Sequence, residues 1–378
     1  MLNMREIDDM KKNNISKFVM RVFIGLITAV VLFILAVFIY HRIQSNKELE
    51  ALKAAGYYNP VPVGEYSLNV AKFGNENGKH TIVGMAGLSS GDFSVAARQM
   101  TASLEKDNLV VFVDRAGYGL SGDTDNEMTL EYIVEDYRKA LQNAGIEAPY
   151  VLMPHSVGGA YANYWVSNYP EEIEAVVFVD GSQLKADAFE EEAVTTVSVG
   201  DRFLAFAAKM GFGRFVLRNY FYHYPDHYSE EEQYLADALT LMTLDSVAPV
   251  SETGLIAENA QKAFNGIVAN DVPKLYICAS WGFQNTDEIT EYNKYINRQI
   301  EINNLDFPKS STEPTDDMLG ALDVYEKARN DTIYPYAEKM GNCEVVCLGG
   351  DHMIYEQKPQ ECAKIIIDFL DKKFEEEK

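Results

Sequence analysis

One stretch in the middle of the chain, residues 150–159, constrains the fold more than any other. It opens with five apolar residues, which predict a buried strand, and a helix-like run follows from Ala160. Ser156 stands at the corner between the two. A strand, a sharp turn and a helix together hold a serine hydroxyl exposed on a rigid corner, and Gly158 and Gly159 leave room for the elements packed alongside.

Two interpretations of this corner stay open. A serine hydroxyl is a poor nucleophile unless a base takes its proton, so an exposed corner serine indicates nucleophilic catalysis. The usual motif is G-x-S-x-G, and Pro154 stands where its first glycine would be, which makes the pattern less specific. The alternative is a buried strand that leads into an ordinary helix with Ser156 as its N-cap.

Residues 22–40 form an uncharged apolar run of about the length that a helix needs to cross a bilayer. No small-residue cleavage site follows, which favours a membrane anchor over a cleaved signal peptide. More basic residues precede the run than follow it, so residues 1–21 are predicted to be cytoplasmic and the catalytic part extracytoplasmic. The sequence thus predicts a single-pass protein of the cell membrane.

Charge and cysteine content limit the possible partners. The net charge of −24 over 378 residues argues against nucleic acid and against adsorption to anionic lipid head groups. Four cysteines make no disulfide framework in a chain of this length. The sequence leaves the oligomeric state open.

The order of apolar segments divides the chain. Residues 41–63 are predicted to be a stalk and linker. From 64 to 182 and from 271 to 378, short apolar strands alternate with helices, such as a helix over 130–143 and a strand over 274–278, which is typical of a parallel sheet covered on both faces. Residues 183–270 are helical in pattern and rich in aromatic residues. An insertion there would lie over the carboxyl ends of the strands, and we interpret it as a lid.

Two glycine-containing loops follow predicted strands. The loop at residues 84–91 can aim the backbone N–H of Leu88 at a developing oxyanion, together with the N–H of Val157, the residue after the serine. An ordinary turn is the alternative. In the second loop, Asp114 and Arg115 are expected to hydrogen-bond the loop rather than to react.

The general base is predicted at His352. This histidine follows the last strand in the run Gly349-Gly350-Asp351-His352, and a loop at that edge can reach a serine at the end of a central strand. The other five histidines adjoin the serine, open a strand, lie near the membrane or fall in the lid segment. His352 is therefore favoured by position and by elimination.

These motifs together resemble the α/β-hydrolase superfamily over about residues 66–374. The resemblance rests on the loop at Gly87, the runs D-R-A-G-Y-G-L-S and P-H-S-V-G-G, the run N-Y-P-E-E-I before the sixth strand, and G-G-D-H. It is strongest to membrane-anchored bacterial hydrolases in which proline replaces the first glycine of the serine motif. It implies an α/β-hydrolase fold, with a mostly parallel eight-stranded sheet and helices on both faces, and hydrolysis through an acyl-enzyme without metal or organic cofactor.

The resemblance leaves two candidates for the acid of the triad. In much of the superfamily the acid follows the seventh strand by a few residues, where this chain has Phe283, with Asp287 four residues later. Other members, including some that resemble haloalkane dehalogenases, take it from the end of the sixth strand, where this chain has Asp180. Asp180 is favoured and Asp287 is the alternative, although an aspartate at this strand end is frequent even where it is not catalytic.

The sequence therefore predicts a membrane-anchored serine hydrolase acting on a carboxylic ester or related acyl bond of a small molecule. Ser156 attacks, His352 takes and returns the proton, and Asp180 orients the imidazole. One alternative is an aminopeptidase of the proline-iminopeptidase type, in which residues 190–192, all glutamate, hold the substrate amine. Another is a non-catalytic binding module of the same fold.

Overall fold

The computed structural model describes residues 4–182, 197–214 and 224–374, with side chains from residue 15 onward. Eight strands form one sheet in the order β1-β2-β4-β3-β5-β6-β7-β8. The strands are β1 Pro60–Pro62, β2 Ser67–Gly74, β3 Thr81–Met85, β4 Leu109–Asp114, β5 Tyr150–Pro154, β6 Ile173–Val179, β7 Lys274–Cys278 and β8 Cys343–Cys347.

Helices precede, connect and follow these strands. They are α1 Met4–Ala54, α2 Phe93–Ala96, α3 Arg98–Thr101, α4 Leu130–Asn143, α5 Gly158–Asn168, α6 Val199–Lys209, α7 Glu230–Thr243, α8 Ala248–Gly254, α9 Ile256–Asn265, α10 Thr286–Ile302, α11 Asp316–Ala328, α12 Tyr334–Met340, α13 Ile354–Gln357 and α14 Pro359–Phe374. A 3₁₀ turn covers Pro170–Glu172, and a π-helical turn covers Arg329–Ile333.

The predicted sheet is confirmed. Strands β3 to β8 pair in parallel, whereas β1 and β2 join the edge antiparallel. Every residue of β4, β5 and β7 is buried, because helices cover both faces of the sheet. The carboxyl ends of the parallel strands consequently meet at one edge, and the loops that leave these ends bring the candidate site together.

The N-terminal helix extends further than the apolar run. Helix α1 is continuous to Ala54, and its apolar part is compatible with a membrane anchor or a signal sequence. Residues 41–63, predicted to be a stalk and linker, contact the core of the domain. Leu52 is fully buried in the core, and β1, within the same segment, already belongs to the sheet, because its Val61 packs into the core.

The segment between β6 and β7 is helical in its described parts, which comprise α6, α7, α8 and α9. Polar contacts join it to the residues at the start of α4. Ser251 Oγ accepts a hydrogen bond from the N–H of Met128, and Asn259 Oδ1 accepts one from the N–H of Leu130. The three glutamates at 190–192 lie outside the described residues. The role of residues 183–270 as a lid stays a prediction.

Candidate active site

Ser156 occupies a tight corner between β5 and α5. Its φ is +51°, a left-handed conformation that non-glycine residues adopt at a cost of about 1–3 kcal/mol. The glycines after it allow the close packing expected from the sequence. A Cβ on Gly158 would lie 2.6 Å from the carbonyl oxygen of Met85, and one on Gly159 would lie 3.1 Å from that of Ser182.

The hydroxyl of Ser156 does not cap the helix. Helix α5 begins at Gly158 with Val157 in the N-cap position, and no side chain makes the capping hydrogen bond. The Ser156 Oγ instead lies 3.5 Å from the Oγ of Ser182. No hydrogen bond joins it to His352 within the described residues. A resting nucleophile and base are often further apart than in the substrate complex.

Asp180 and His352 form a close pair. The Asp180 carboxylate lies at the end of β6 and accepts a hydrogen bond from His352 Nδ1 over 2.7 Å. Its other partners lie just beyond β7: the backbone N–H groups of Ala279 and Ser280, and the Ser280 hydroxyl at 2.5 Å. The sequence did not single out Ser280, although its place directly after a strand could have drawn attention to it.

Each member of the pair shifts the pKa of the other in the direction that favours the charged form. Burial acts to raise the pKa of Asp180, but the hydrogen bonds from His352 and Ser280 outweigh it and hold that pKa below its usual value. Burial acts to lower the pKa of His352, but the hydrogen bond and charge of Asp180 outweigh it and raise that pKa. An ionised Asp180 can only accept, so the Nδ1–H of His352 donates and its Nε2 is left for proton transfer.

Asp287, the alternative acid, lies elsewhere. It is exposed in the first turn of α10, and the described structure contains no hydrogen bond between it and His352. The residue that occupies the superfamily's usual acid position, Phe283, is buried against Tyr292 and Tyr325 instead.

His155 contributes a contact that the sequence did not predict. Its buried ring uses Nε2 to bond the backbone carbonyl oxygen of His352 over 3.0 Å, and the two ring centres are 4.6 Å apart. Burial, and next the charge of His352, lower the pKa of His155 to about 3. The ring is therefore neutral near pH 7, and its Nε2–H donates to the loop that carries His352.

The predicted oxyanion donors are Leu88, in the loop after β3, and Val157, the residue after the serine. The loop after β3 passes directly over it, since a Cβ on Gly87 would lie 3.1 Å from the Ser156 Cβ. Leu88 follows in this loop and is half-buried, and Val157 is buried. Within the described residues neither backbone N–H donates a hydrogen bond, and their role as an oxyanion hole stays a prediction.

The buried guanidinium of Arg115 holds the loop after β3 in place. Arg115 donates to the carbonyl oxygens of Ala86 and Gly87, over 2.7 and 2.8 Å, rather than to its own loop. Its guanidinium lies 3.0 Å from the carboxylate of Glu252, which is fully buried. Asp114 does hold its own loop, as predicted, by accepting from the N–H of Leu120. Glu252 lies on α8, and no local sequence signal marks it.

The arrangement has counterparts in known proteins. A family model described as alpha/beta hydrolase fold matches residues 84–359. The chain belongs to the α/β-hydrolase-fold family. Among its relatives, the uncharacterized protein YbdG of Bacillus subtilis (strain 168) is 27% identical over 361 residues, which cover 93% of this chain and 96% of YbdG.

Two other similarities are more limited. The putative chloroplastic methylesterase 14 of Arabidopsis thaliana is 37% identical over 102 residues, 25% of this α/β-hydrolase chain and 29% of that protein. The crystal structure of a putative lipase from Acinetobacter baumannii AYE superposes with a TM-score of 0.52 at 16% identity, covering 87% of this chain and 96% of the lipase. At that identity the superposition shows the shared fold alone.

Across residues 4–182, 197–214 and 224–374, the His, Cys, Asp and Glu side chains form no group of three or more that could hold a metal ion. That hydrolysis needs no metal or organic cofactor stays a prediction.

Proposed function

We propose that this chain is a serine hydrolase that cleaves a carboxylic ester or a related acyl bond. The observation that carries the proposal is the Asp180–His352 hydrogen bond of 2.7 Å at the edge of the sheet where Ser156 stands in a left-handed corner. Serine, acid and histidine follow one another along the chain in the order typical of this family.

In the proposed mechanism, Ser156 Oγ attacks the acyl carbon while His352 Nε2 takes its proton. The negative charge that develops on the acyl oxygen is bound by the N–H groups of Leu88 and Val157. His352 then protonates the leaving alcohol, and an acyl-enzyme forms on Ser156. A water molecule, deprotonated by the same imidazole, attacks the acyl-enzyme, and His352 returns that proton to Ser156 Oγ as the acid is released. Asp180 holds the imidazole in one tautomer throughout and stabilises its charged form.

An ester is the favoured bond for two reasons. A serine nucleophile suits acyl transfer, whereas dehalogenase chemistry in this fold requires a carboxylate nucleophile. In addition, the Arabidopsis relative that matches a quarter of the chain is named a methylesterase. The proposed substrate is a small molecule, and the glutamates that an aminopeptidase would need lie outside the described residues.

We further propose that α1 anchors the protein in the cell membrane. Its side chains from Ile15 to Ile43 include a long series of exposed apolar residues, which only a bilayer would cover. The basic residues before the span favour a cytoplasmic N-terminus, which places the hydrolase outside the membrane.

The test is active-site labelling of the full chain with a fluorophosphonate probe, together with turnover of p-nitrophenyl esters of increasing acyl length. Ser156→Ala should lose both labelling and turnover. The matched control is Ser182→Ala, because the Ser182 hydroxyl lies 3.5 Å from that of Ser156 and is a second serine beside it. Labelling that survives Ser156→Ala would assign the nucleophile elsewhere, and an unlabelled wild type without turnover would indicate a binding module.

A further inference from the structure

Helix α6 exposes an apolar stripe. Val199, Phe203 and Phe206 are spaced i, i+4 and i+7, so they share one face of the helix, and they are 85%, 66% and 58% exposed. Ala205 and Ala208 on the other side are buried. Soluble proteins rarely leave large apolar side chains together in water, so the stripe calls for an apolar partner.

The end of α6 is attached to the N-terminal helix. Directly after α6, a Cβ on Gly211 would lie 2.5 Å from the Cβ of His41 and 3.2 Å from the carbonyl oxygen of Val37. Arg214 then holds this junction, with its guanidinium 2.6 Å from a carboxylate oxygen of Glu48 and 2.9 Å from His41 Nδ1. The chain directly after α6 is therefore held against α1 near Val37 and His41.

The contact at Val37 determines how deep the end of α6 lies in the bilayer. Helix α1 rises by about 1.5 Å per residue, so Val37 lies about 4–5 Å inside the end of the apolar run at Tyr40. The contact at Val37 thus places the end of α6 just inside the hydrocarbon boundary. Interfacial helices bury their apolar face to about 5–10 Å into this zone.

We propose that α6 lies in the surface of the same bilayer that α1 spans, with Val199, Phe203 and Phe206 in contact with lipid. The chain directly after α6 lies against Val37 within the apolar run of α1, which makes the bilayer the partner of the stripe rather than a separate protein. Lys209 is exposed on α6 and can reach the head groups, whereas Arg202 forms an ion pair with Asp125. The net charge of −24 repels anionic lipid, so contact is made through apolar groups with zwitterionic lipid.

The test measures the depth of α6 without measuring turnover, so it is independent of whether the protein is a hydrolase. Full-length Phe203→Trp and Phe206→Trp chains are reconstituted in phosphatidylcholine vesicles, with and without dibrominated phosphatidylcholine, which quenches tryptophan on contact. The wild-type emission from Trp165 and Trp281 is subtracted. The control is Val324→Trp, a residue 64% exposed on α11.

Both α6 variants should lose most of their added emission to the brominated lipid, and Val324→Trp should keep its own. If the added emission of both α6 variants survives brominated lipid, the proposal is overturned. A blue-shifted emission that is not quenched, and that grows with the number of chains per vesicle, would also overturn it by showing that a second copy of the chain covers the stripe.

Discussion

His352 Nδ1 donates a hydrogen bond to Asp180 Oδ2 across a sequence separation of 172 residues. Strands β6, β7 and β8 are neighbours in the sheet, so the loops after β6 and β8 end close together although the chain between them is long. Ser280, after the intervening β7, bonds the same carboxylate oxygen. The pair is therefore supported by all three strand ends.

Replacing Asp180 with asparagine should lower kcat/KM by about 10⁴-fold, because the imidazole loses its orienting acceptor and favours the wrong tautomer. The residual activity should have a shifted pH profile. Activity is lost as pH falls and His352 becomes protonated. Asp180 raises the pKa of His352, so removing its charge should move this loss to lower pH.

The matched control for this variant is Asp287→Asn, since Asp287 is exposed on α10. It should keep both the rate and the pH profile of the wild type. Rate profiles between pH 4 and 9 check both variants, and a larger loss in Asp287→Asn than in Asp180→Asn would reverse the assignment of the acid.

His155→Phe should reduce kcat while KM changes little. The substitution removes the Nε2–H donor and leaves the buried carbonyl oxygen of His352 unpaired, at a cost of about 1–3 kcal/mol. The loop of His352 should then sample unproductive positions. His155→Gln, whose side-chain amide can donate to the same oxygen, should recover part of the rate. Steady-state kinetics on a soluble ester measures kcat and KM separately. Equal kcat values for the two variants would argue against this positioning role.

Gly158→Ala should destabilise the fold and abolish activity, because its Cβ would lie 2.6 Å from the Met85 carbonyl oxygen and would push β3 away from the serine corner. The control is Gly320→Ala within α11, where a Cβ meets nothing within 4 Å. Alanine there should stabilise the helix by up to about 1 kcal/mol. Thermal unfolding monitored by circular dichroism checks both, and a Gly158→Ala chain as stable as wild type would contradict the packing described for the corner.

Glu252→Ala should lower the free energy of unfolding by about 3–5 kcal/mol, because Arg115 would keep a buried charge without its partner. It should also lower kcat, since Arg115 holds the loop of Leu88. Glu131→Ala, which breaks the exposed ion pair with Lys262, should cost less than about 1 kcal/mol. Urea unfolding in detergent distinguishes the two pairs, and similar costs for both would show that the buried pair contributes no special stability.

Individual helices and strands can be predicted from the sequence where the hydrophobic pattern of a short segment is clear. The helix predicted over 130–143 and the strand predicted over 274–278 have the bounds of α4 and β7. The apolar run at 22–40 lies within α1, which continues to Ala54 because the charged residues that follow are good helix formers. Whether the C-terminal part of α1 is free in solvent or packs against the hydrolase domain depends on distant residues such as Arg214.

The sequence by itself determined the strand-turn-helix corner at Ser156, the parallel sheet and the place of His352, because each depends on hydrophobic period or on glycines beside a strand. Only the tertiary structure decided which aspartate meets His352, that His155 supports the His352 loop, and that Glu252 pairs with Arg115. These contacts depend on the order of strands in the sheet and on how one helical segment packs over it. No local pattern encodes that order, since residues over a hundred positions apart become neighbours only when the sheet has formed.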